Sequence, residues 1–571
     1  MEPFSSLVEV LAHRAATQSD ERALIFISDR GAEDTVLTFR ELHHAANAVA
    51  KWLAAAAQPG DRALLVFPPG PEFVVAFFGC LIARVIAVPM MVPRRQSARD
   101  SSASIMANCK PTLALTSPSL ASRDDLAARF AGHELQWITV DMTSGAADAI
   151  DLPRPRADDI AFLQYTSGST SEPKGVVITH AMLLANMRMA QQYLGTGKHS
   201  TCVNWLPLYH DMGLILSVVG SMYLGALCVL LAPSGFMQRP LAWLRAISHY
   251  RAEITASPNF AYDLCVARLR PDQMEGVDLS AWKIILVGAE PIRAATLDKF
   301  IETFTPYGLA ASAVNPGFGM AEATLIVSMS PVGAGVDRRM LSRSALQANL
   351  IRDAADKDDA QALVGCGYPI PDSRLAIVDP HTLRRLPADT VGELWIEGAH
   401  VAGAYWDNPQ ASDASLHAHI EGESGTWLRS GDLGFLDAKG QLFITGRLKD
   451  LIIIRGTNHH PQDIELTVER AHPALTQNGG AVFSVPDERG EEQLVVVQEV
   501  ERTARNRIDA DEIAGIIREA ITEQHEVFAR HIVLIRPQSL PKTTSGKIQR
   551  SLTRKLWLES KLDYLTAETA A

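Results

Sequence analysis

A loop rich in hydroxyl groups, glycine and one lysine lies between Tyr165 and Gly175, with the sequence YTSGSTSEPKG. It follows a strand-like run and precedes a helix-like run that starts near Thr179. Glycine lets a backbone approach an anion, hydroxyl and amide groups donate hydrogen bonds, and lysine neutralises charge. A flexible connector is the alternative interpretation. The flanking elements and the Pro-Lys-Gly ending favour a phosphate-binding loop, whose candidate ligands are Thr166, Ser167, Gly168, Ser169, Thr170 and Lys174.

This loop is not a Walker loop, because GxxxxGK[ST] is absent and Lys174 precedes its glycine. Its pattern resembles the phosphate loop of the adenylate-forming superfamily, which includes acyl-CoA synthetases, luciferases, adenylation domains and fatty acyl-AMP ligases. Further motifs of that superfamily follow in its order, and the resemblance extends from Thr38 to about Arg554. They are WLPLYHDMGL (205–214), VGAEP (287–291), NPGFGMAEATL (315–325), SGDLG (430–434), TGRLKD (445–450) and PKTTSGKIQR (541–550).

The resemblance implies an ATP site. Gly288, Ala289 and Glu290 match an adenine-contacting turn, and Phe318 matches an aromatic residue that stacks on adenine. Glu322 matches the residue that holds Mg²⁺ against the phosphates, and a hard cation prefers carboxylate oxygen. The family commonly has Tyr at position 318 and Thr at position 321, which puts one hydrogen bond to ATP in doubt. The further nucleotide contacts that it implies are Gly317, Gly319, Met320, Ala321, Asp432 and Arg447.

The same resemblance implies the chemistry. Asp432 would accept hydrogen bonds from the ribose hydroxyls, and Arg447 would reach the ribose or the phosphates. Lys449 occupies the hinge position, about which a small C-terminal domain rotates. Lys547 matches the catalytic lysine that bridges the acyl carboxylate and the α-phosphate. In this reaction a carboxylate attacks the α-phosphorus in line and pyrophosphate leaves, so that catalysis depends mainly on cations that neutralise the developing charge.

An uncharged apolar run extends from Met212 to Pro233, directly after His210 and Asp211. It is long enough to span a bilayer, but its glycines and the absence of close basic flanks favour a buried helix leading into a strand. The resemblance implies that His210 is catalytic and lies where the acyl carboxylate meets ATP, with the run as one wall of a hydrocarbon pocket. Alternatively, His210 or Asp211 caps the helix.

Two features resemble fatty acyl-AMP ligases more than typical CoA ligases. One is the sequence NHHPQDIE (458–465), and the other is an insertion at about 340–363. In that branch the insertion is proposed to limit movement of the C-terminal domain. A tolerated surface loop is the alternative interpretation.

The elements that must position these residues indicate an α/β fold. Thr38 is a plausible cap for a helix that continues to about Ala56, and short apolar strands alternate with helices up to residue 287. Such alternation is typical of parallel sheets covered by helices. From about Gly365 the pattern becomes β-rich. We therefore predict a large adenylate-forming domain at 1–448 and a small α+β domain at 449–571 that carries Lys547.

Composition excludes several classes of protein. The 571 residues carry a net charge of −12, which argues against a uniformly basic nucleic-acid-binding surface but leaves local basic patches open. Six scattered cysteines show neither CxxC spacing nor zinc-ligand spacing, and they are interpreted as reduced core residues. The N-terminus lacks a secretory pattern, and no transmembrane segment is predicted. These observations favour a cytoplasmic location.

These features predict ATP- and Mg²⁺-dependent activation of a medium- or long-chain fatty acid to acyl-AMP. No carrier domain follows Lys547, so the acyl group is expected to pass in trans to an acyl carrier protein in lipid, polyketide or lipopeptide biosynthesis. The alternative is a fatty acyl-CoA synthetase. An amino-acid-activating domain and a non-catalytic scaffold are less well supported, the latter because Lys547, Glu322, Asp432 and Arg447 occur together.

Overall fold

The computed structural model describes residues 4–28, 31–92, 102–122, 130, 135–142, 152–166, 173–454, 457–487, 490–505, 508–543 and 546–565. The longest sheet within these ranges has nine strands, in the order β17-β14-β13-β12-β11-β9-β10-β1-β2. Its central pairs are parallel and its outer pairs antiparallel. The strands are β1 (Arg22–Ile27), β2 (Glu33–Thr38), β9 (Cys202–Asn204), β10 (Cys228–Leu231), β11 (Ile254–Ser257), β12 (Ile284–Val287), β13 (Val314–Gly319), β14 (Ile326–Met329) and β17 (Tyr368–Pro369).

A second sheet has the order β6-β5-β3-β4-β7-β8 and is parallel except at its last pair. The candidate phosphate loop joins that antiparallel pair, so a strand, and not a helix, follows the loop directly. The predicted helix begins only at His180. The strands are β3 (Arg62–Val66), β4 (Ile86–Met90), β5 (Leu113–Thr116), β6 (Gln136–Thr139), β7 (Ile160–Thr166) and β8 (Lys174–Thr179).

Helices cover these sheets, as the alternating pattern predicts. In α2 the Thr38 side chain accepts a hydrogen bond from the Glu41 amide, and Glu41 reaches back to the Thr38 amide. The α-helices are α1 (Leu7–Thr17), α2 (Phe39–Ala56), α3 (Pro71–Ala83), α4 (Ser102–Cys109), α5 (Pro118–Ala121), α6 (His180–Leu194), α7 (Gly220–Leu224), α8 (Pro233–Gln238), α9 (Leu241–His249), α10 (Asn259–Ala267), α11 (Ala294–Phe304), α12 (Arg343–Gln347), α13 (Pro409–Leu416), α14 (Pro461–Ala471), α15 (Ala510–His525) and α16 (Arg550–Leu558).

The apolar run after His210 folds as a buried helix followed by strand β10. Its first part, Met212–Val219, is a π-helix, which the sequence did not indicate. Such π-helical turns are rare and are frequently found at functional sites. Among the described residues, no helix combines the length and the apolar character needed to cross a membrane.

The region after Gly365 contains an antiparallel sheet, as its β-rich pattern predicts. This sheet consists of β18 (Arg374–Val378), β19 (Gly392–Glu397), β20 (Leu428–Leu436) and β21 (Leu442–Arg447). The segment at 338–364 adds a separate hairpin of β15 (Arg338–Ser342) and β16 (Ala360–Val364), and helix α12 follows β15 directly. The predicted insertion is therefore an ordered β-α-β unit.

The chain after Lys449 builds its own hydrophobic core around Ile464, Val468, Val496 and Ile517. It contains a short hairpin of β22 (Ile452–Ile454) and β23 (Thr457–His459) and a sheet of β24 (Leu475–Pro486), β25 (Glu492–Val500) and β26 (Ala529–Ile535). All six cysteines of the chain are free and buried. The fold is mixed α/β with parallel sheets, which confirms the predicted class.

Candidate functional site

A cleft of about 2430 Å³ separates the sheets from the C-terminal chain. Two of its edges are the carboxyl ends of the parallel strands β12 and β13, where ligands bind in open α/β sheets. Every described residue predicted for the site lines this cleft. They are Thr166, Lys174, His210, Gly288, Ala289, Glu290, Gly317, Phe318, Gly319, Met320, Ala321, Glu322, Asp432, Arg447, Lys449 and Lys547. Ser167, Gly168, Ser169 and Thr170 lie outside the described residues.

Asp432 and Arg447 form an ion pair inside the cleft. They face each other across strands β20 and β21, and Arg447 Nε donates to Asp432 Oδ1 over 3.0 Å. Asp432 is buried within strand β20. The preceding residue, Gly431, has φ +71°. The pair presents one carboxylate and one guanidinium to the same space.

Glu322 lies in a short 3₁₀ turn after β13, and its Oε1 accepts a hydrogen bond from the Tyr405 hydroxyl over 3.0 Å. Burial raises the pKa of Glu322, against the effect of the Tyr405 hydrogen bond and the Arg447 charge. The ammonium of Lys174 lies over the Tyr405 ring, 4.8 Å from its centre. Tyr405 therefore links the phosphate-loop lysine to the candidate metal ligand. Sequence reasoning missed Tyr405, because an isolated tyrosine after a glycine-rich turn has no distinctive local pattern.

His210 and Asp211 lie at the start of the π-helix. The Met212 amide donates to Asp211 Oδ1 over 2.6 Å, and His210 Nδ1 lies 2.6 Å from the same oxygen. Burial alone would raise the pKa of Asp211, but His210 and the Met212 amide outweigh it and hold that pKa below its ordinary value. The helix-capping role considered for Asp211 is therefore present in the structure. His210 nevertheless lines the cleft, so its ring is available to a ligand.

Glu290 ends the turn after β12, in which Ala289 has φ +66°. Its Oε1 accepts a hydrogen bond from the Phe260 amide over 2.7 Å, at the start of α10. Burial raises the pKa of Glu290 to about 7, although the Phe260 hydrogen bond and the charges of Arg293 and Lys547 oppose it. The side chain of Glu290 thus anchors a neighbouring helix, while its backbone belongs to the predicted adenine turn.

Lys547 extends from the C-terminal chain into the cleft and is half-buried. Burial lowers its pKa to about 8, and the Arg447 charge acts in the same direction. The carboxylates of Asp432, Glu290 and Asp211 oppose that shift. Lys547, from near the end of the chain, is therefore brought together with residues of four distant sequence motifs.

Comparison with known proteins agrees with this geometry. Residues 11–406 match the AMP-binding enzyme family, and residues 449–567 match the AMP domain of the Disco-interacting protein 2-like family. The chain is 40% identical to the medium-chain-fatty-acid–[acyl-carrier-protein] ligase JamA of Moorena producens, over 98% of this chain and 96% of that one.

The chain belongs to the AMP-binding enzyme family, in its fatty acyl-AMP ligase branch. A solved structure from a study of fatty acyl-adenylate ligases of E. coli and L. pneumophila superimposes on this ligase with a TM-score of 0.87. It is 31% identical and covers 98% of each chain. The L. pneumophila enzyme solved with acyl adenylate and pyrophosphate is 36% identical, with a TM-score of 0.73 and coverage of 98% of this chain and 97% of that one.

The residues around Glu322 can be compared with the ligands that Mg²⁺ requires. Among the residues that the structure describes, no cluster of three or more His, Cys, Asp or Glu side chains could form a metal cage. Mg²⁺ is commonly held by one or two carboxylates together with substrate phosphates. The carboxylate of Glu322, near the phosphate-loop lysine, fits that donor set.

The side chains that line the cleft suit a substrate with both a polyanionic and an apolar part. Lys174, Arg447 and Lys547 place three cationic side chains around one cleft, which suits a polyanionic nucleotide. Asp432 provides a carboxylate that two vicinal hydroxyls could share. Apolar side chains, including Met212, Leu216 and Leu264, line another part of the same cleft. This ligase therefore joins a polar phosphate site to an apolar wall.

Proposed function

We propose that this chain activates a medium- or long-chain fatty acid with ATP, forms acyl-AMP and pyrophosphate, and passes the acyl group to an acyl carrier protein. The observation that supports this most directly is the entry of Lys547 into a cleft that also holds Asp432, Arg447 and His210. Relatives named as fatty-acid–[acyl-carrier-protein] ligases support the substrate and the acceptor.

Each polar residue has one role in the proposed reaction. Asp432 binds the ribose hydroxyls, and the turn at 288–290 together with Phe318 holds the adenine. Lys174, with the hydroxyl-rich loop, neutralises the β- and γ-phosphates. Lys547 contacts the acyl carboxylate and the α-phosphate, so its charge offsets the negative charge that develops at the attacked phosphorus.

Mg²⁺ would be held by Glu322 and the ATP phosphates, where it would supply charge neutralisation for the leaving pyrophosphate. The Tyr405 hydroxyl fixes one Glu322 oxygen and leaves the other available. His210 orients the fatty carboxylate at the mouth of the apolar wall. Met212, Leu216 and Leu264 then shield the hydrocarbon chain from water.

The chain is divided, in this proposal, into a large unit at 1–448 and a small unit at 449–571 that rotates about the exposed hinge residue Lys449. The observed arrangement, with Lys547 in the cleft, corresponds to adenylation. Rotation would then remove Lys547 and open the acyl-AMP to the thiol of a carrier protein. Six free buried cysteines favour a reducing compartment, for which we propose the cytoplasm.

The insertion would restrain this rotation through two hydrogen bonds to the small unit. Gln361 Nε2 donates to Asp463 Oδ1 over 2.8 Å, and Arg343 Nη1 donates to the Gln524 carbonyl over 3.3 Å. Such a restraint would favour acyl-AMP formation over transfer to CoA. A relative named as a putative fatty-acid–CoA ligase, from Mycobacterium tuberculosis, is also 35% identical to this chain. CoA is therefore the alternative acceptor that an experiment must test.

A product assay decides between the acceptors. Dodecanoate, ATP and Mg²⁺ are expected to yield acyl-AMP and pyrophosphate, and a phosphopantetheinylated carrier protein is expected to become acylated. CoA at the same thiol concentration should yield little acyl-CoA. Efficient acyl-CoA synthesis by the unmodified enzyme would favour a CoA synthetase, and the absence of pyrophosphate with every fatty acid would contradict both functions.

A further inference from the structure

The loop that carries Lys547 rests on one aromatic ring of the large unit. Gly546 precedes the lysine and has φ +87°, and a Cβ atom built on it would lie 3.0 Å from Phe260 Cε1 and 3.3 Å from Cδ1. The glycine backbone therefore lies against the Phe260 ring, and a larger residue would have to displace either the ring or the loop. Because Gly546 directly precedes Lys547, this contact lies beside the point where the lysine enters the cleft.

The Phe260 ring is held from behind by other rings. It packs edge-on against Trp205, with 5.9 Å between ring centres, and Trp205 stacks on Phe236 at 3.9 Å. Phe236 in turn packs edge-on against Trp243 at 5.7 Å. Trp205, Phe236 and Trp243 are all buried. Such an aromatic stack leaves the ring little freedom to move away from the loop.

Hydrogen bonds also fix the backbone at Phe260, at the start of α10. The Phe260 amide donates to Glu290 Oε1 over 2.7 Å, and the Arg293 amide donates to Asn259 Oδ1 over 3.0 Å. Both contacts tie the start of α10 to the turn that follows β12. A shift of Phe260 would therefore require movement of a segment that itself lines the nucleotide cleft.

The lysine loop is tight enough to transmit this contact to Lys547. The Thr543 amide donates to the Lys547 carbonyl over 2.6 Å, and the Lys547 amide donates to Thr543 Oγ1 over 3.0 Å. The Gly546 amide donates to the Thr543 carbonyl over 2.9 Å. Because these bonds close the loop on itself, the position of Gly546 on the ring also sets the position of the Lys547 backbone.

We infer that Phe260 is a positioning residue for Lys547, and that it acts in adenylation but not in acyl transfer. This inference rests on the proposed role of Lys547. The ring also lines the cleft beside Trp205 and Leu264. The same side chain therefore belongs to the apolar wall and contacts the loop that carries Lys547. Loss of the ring should therefore leave the lysine present but misplaced.

The test compares the two half-reactions in Phe260→Leu, with Phe528→Leu as the matched control because the Phe528 ring is 56% exposed on the small unit. Single-turnover pyrophosphate release measures adenylation, and transfer from prepared acyl-AMP to the carrier thiol measures the second step. Since small misplacement of a reacting group can cost about a hundredfold in rate, we expect adenylation by Phe260→Leu to fall about tenfold or more in kcat, with the KM for ATP little changed. Transfer should stay near the wild-type rate. An equal loss in both steps, or unchanged adenylation, would overturn the inference.

A second measurement tests the contact itself through the pair Gly546→Ala and Phe260→Ala. Gly546→Ala should slow adenylation, because the new methyl group meets the ring and the backbone conformation disfavours alanine. Removing the Phe260 ring should relieve the clash with the new methyl group but not the backbone strain. Adenylation by the double variant should therefore be faster than the product of the two single-variant effects predicts. Strict additivity would contradict a direct contact.

The reactivity of Lys547 separates this inference from the proposed function. An amine-acylating reagent, followed by mass spectrometry, should modify Lys547 faster in Phe260→Leu than in wild type or Phe528→Leu. This readout does not require turnover. Faster modification in a protein that forms no acyl-AMP would retain the inference and reject the function, whereas unchanged reactivity would reject the inference alone.

Discussion

Lys547 brings a positive charge into a cleft that already contains Arg447, and burial lowers its pKa to about 8. The three surrounding carboxylates keep that pKa from falling farther. A lysine in this position remains cationic at neutral pH but close to its midpoint. Its charge should therefore be both essential to catalysis and sensitive to pH.

Replacing Lys547 with alanine should slow acyl-AMP formation about a hundredfold, or roughly 3 kcal/mol, because one preorganised contact to the transition state is lost. Transfer from prepared acyl-AMP should continue, since in the proposed cycle that step follows the rotation that removes the lysine from the cleft. Pyrophosphate release and carrier acylation measure the two steps. Adenylation within a few-fold of wild type would show that Lys547 is not the catalytic lysine.

The pH profile provides an independent check. Only the protonated lysine neutralises charge, so kcat/KM for ATP should decline as pH rises through about 8. Lys547→Arg, which stays protonated, should lose activity overall but show no such decline. Rates of pyrophosphate release between about pH 6.5 and about pH 9.5 measure both profiles, because Lys547 loses its proton within this range whereas an arginine keeps its charge. The same midpoint in both proteins would assign the titration to another group.

At the scale of elements, the insertion at 338–364 reaches the small unit from one side of the cleft. Its partner Asp463 is half-buried, and burial raises the pKa of that carboxyl to about 6 against the effect of the Gln361 hydrogen bond. The two hydrogen bonds by themselves exert a modest restraint. A single hydrogen bond typically contributes about 1 kcal/mol.

The double variant Arg343→Ala/Gln361→Ala should raise acyl-CoA formation several-fold. The two lost bonds would together change the balance of arrangements by about 2 kcal/mol at most, and roughly 1.4 kcal/mol corresponds to a tenfold shift. Arg352→Ala, an exposed arginine of the same insertion, is the matched control. Thioester formation with CoA as acceptor measures the effect. If both proteins remain inactive with CoA, the absence of a CoA pocket is the better explanation.

The molecule as a whole combines a nucleotide site and an apolar wall in one cleft, so chain length should govern substrate choice. Each methylene buried contributes about 0.8 kcal/mol, and the kcat/KM for dodecanoate should therefore exceed that for acetate by at least about a hundredfold. Pyrophosphate release with a series of saturated acids measures this. Comparable efficiency with acetate and dodecanoate would exclude a hydrocarbon pocket along Met212, Leu216 and Leu264.

Much of this protein could be predicted from the sequence because the relevant forces act over short distances. The Thr38 capping box, the apolar strand β3 and the helix at Pro461–Ala471 follow from capping groups and periodicity within a few residues. The order of the motifs indicated the family, since each motif is a contiguous string. In the same way, the residue types at Glu322, Asp432 and Lys547 predicted a nucleotide site.

Only the tertiary structure determined how the sequence motifs contact one another. The Tyr405–Glu322 hydrogen bond and the contact of Phe260 with Gly546 join residues far apart in sequence, so no local pattern encodes them. The π-helix at Met212–Val219 was not predictable either. A run that is apolar on all sides has no hydrophobic periodicity, and so the sequence does not distinguish an α-helical from a π-helical hydrogen-bond pattern. Lys547 is half-buried for the same reason: its environment is set by the packing of one unit on the other, which depends on long-range contacts and not on the PKTTSGK sequence.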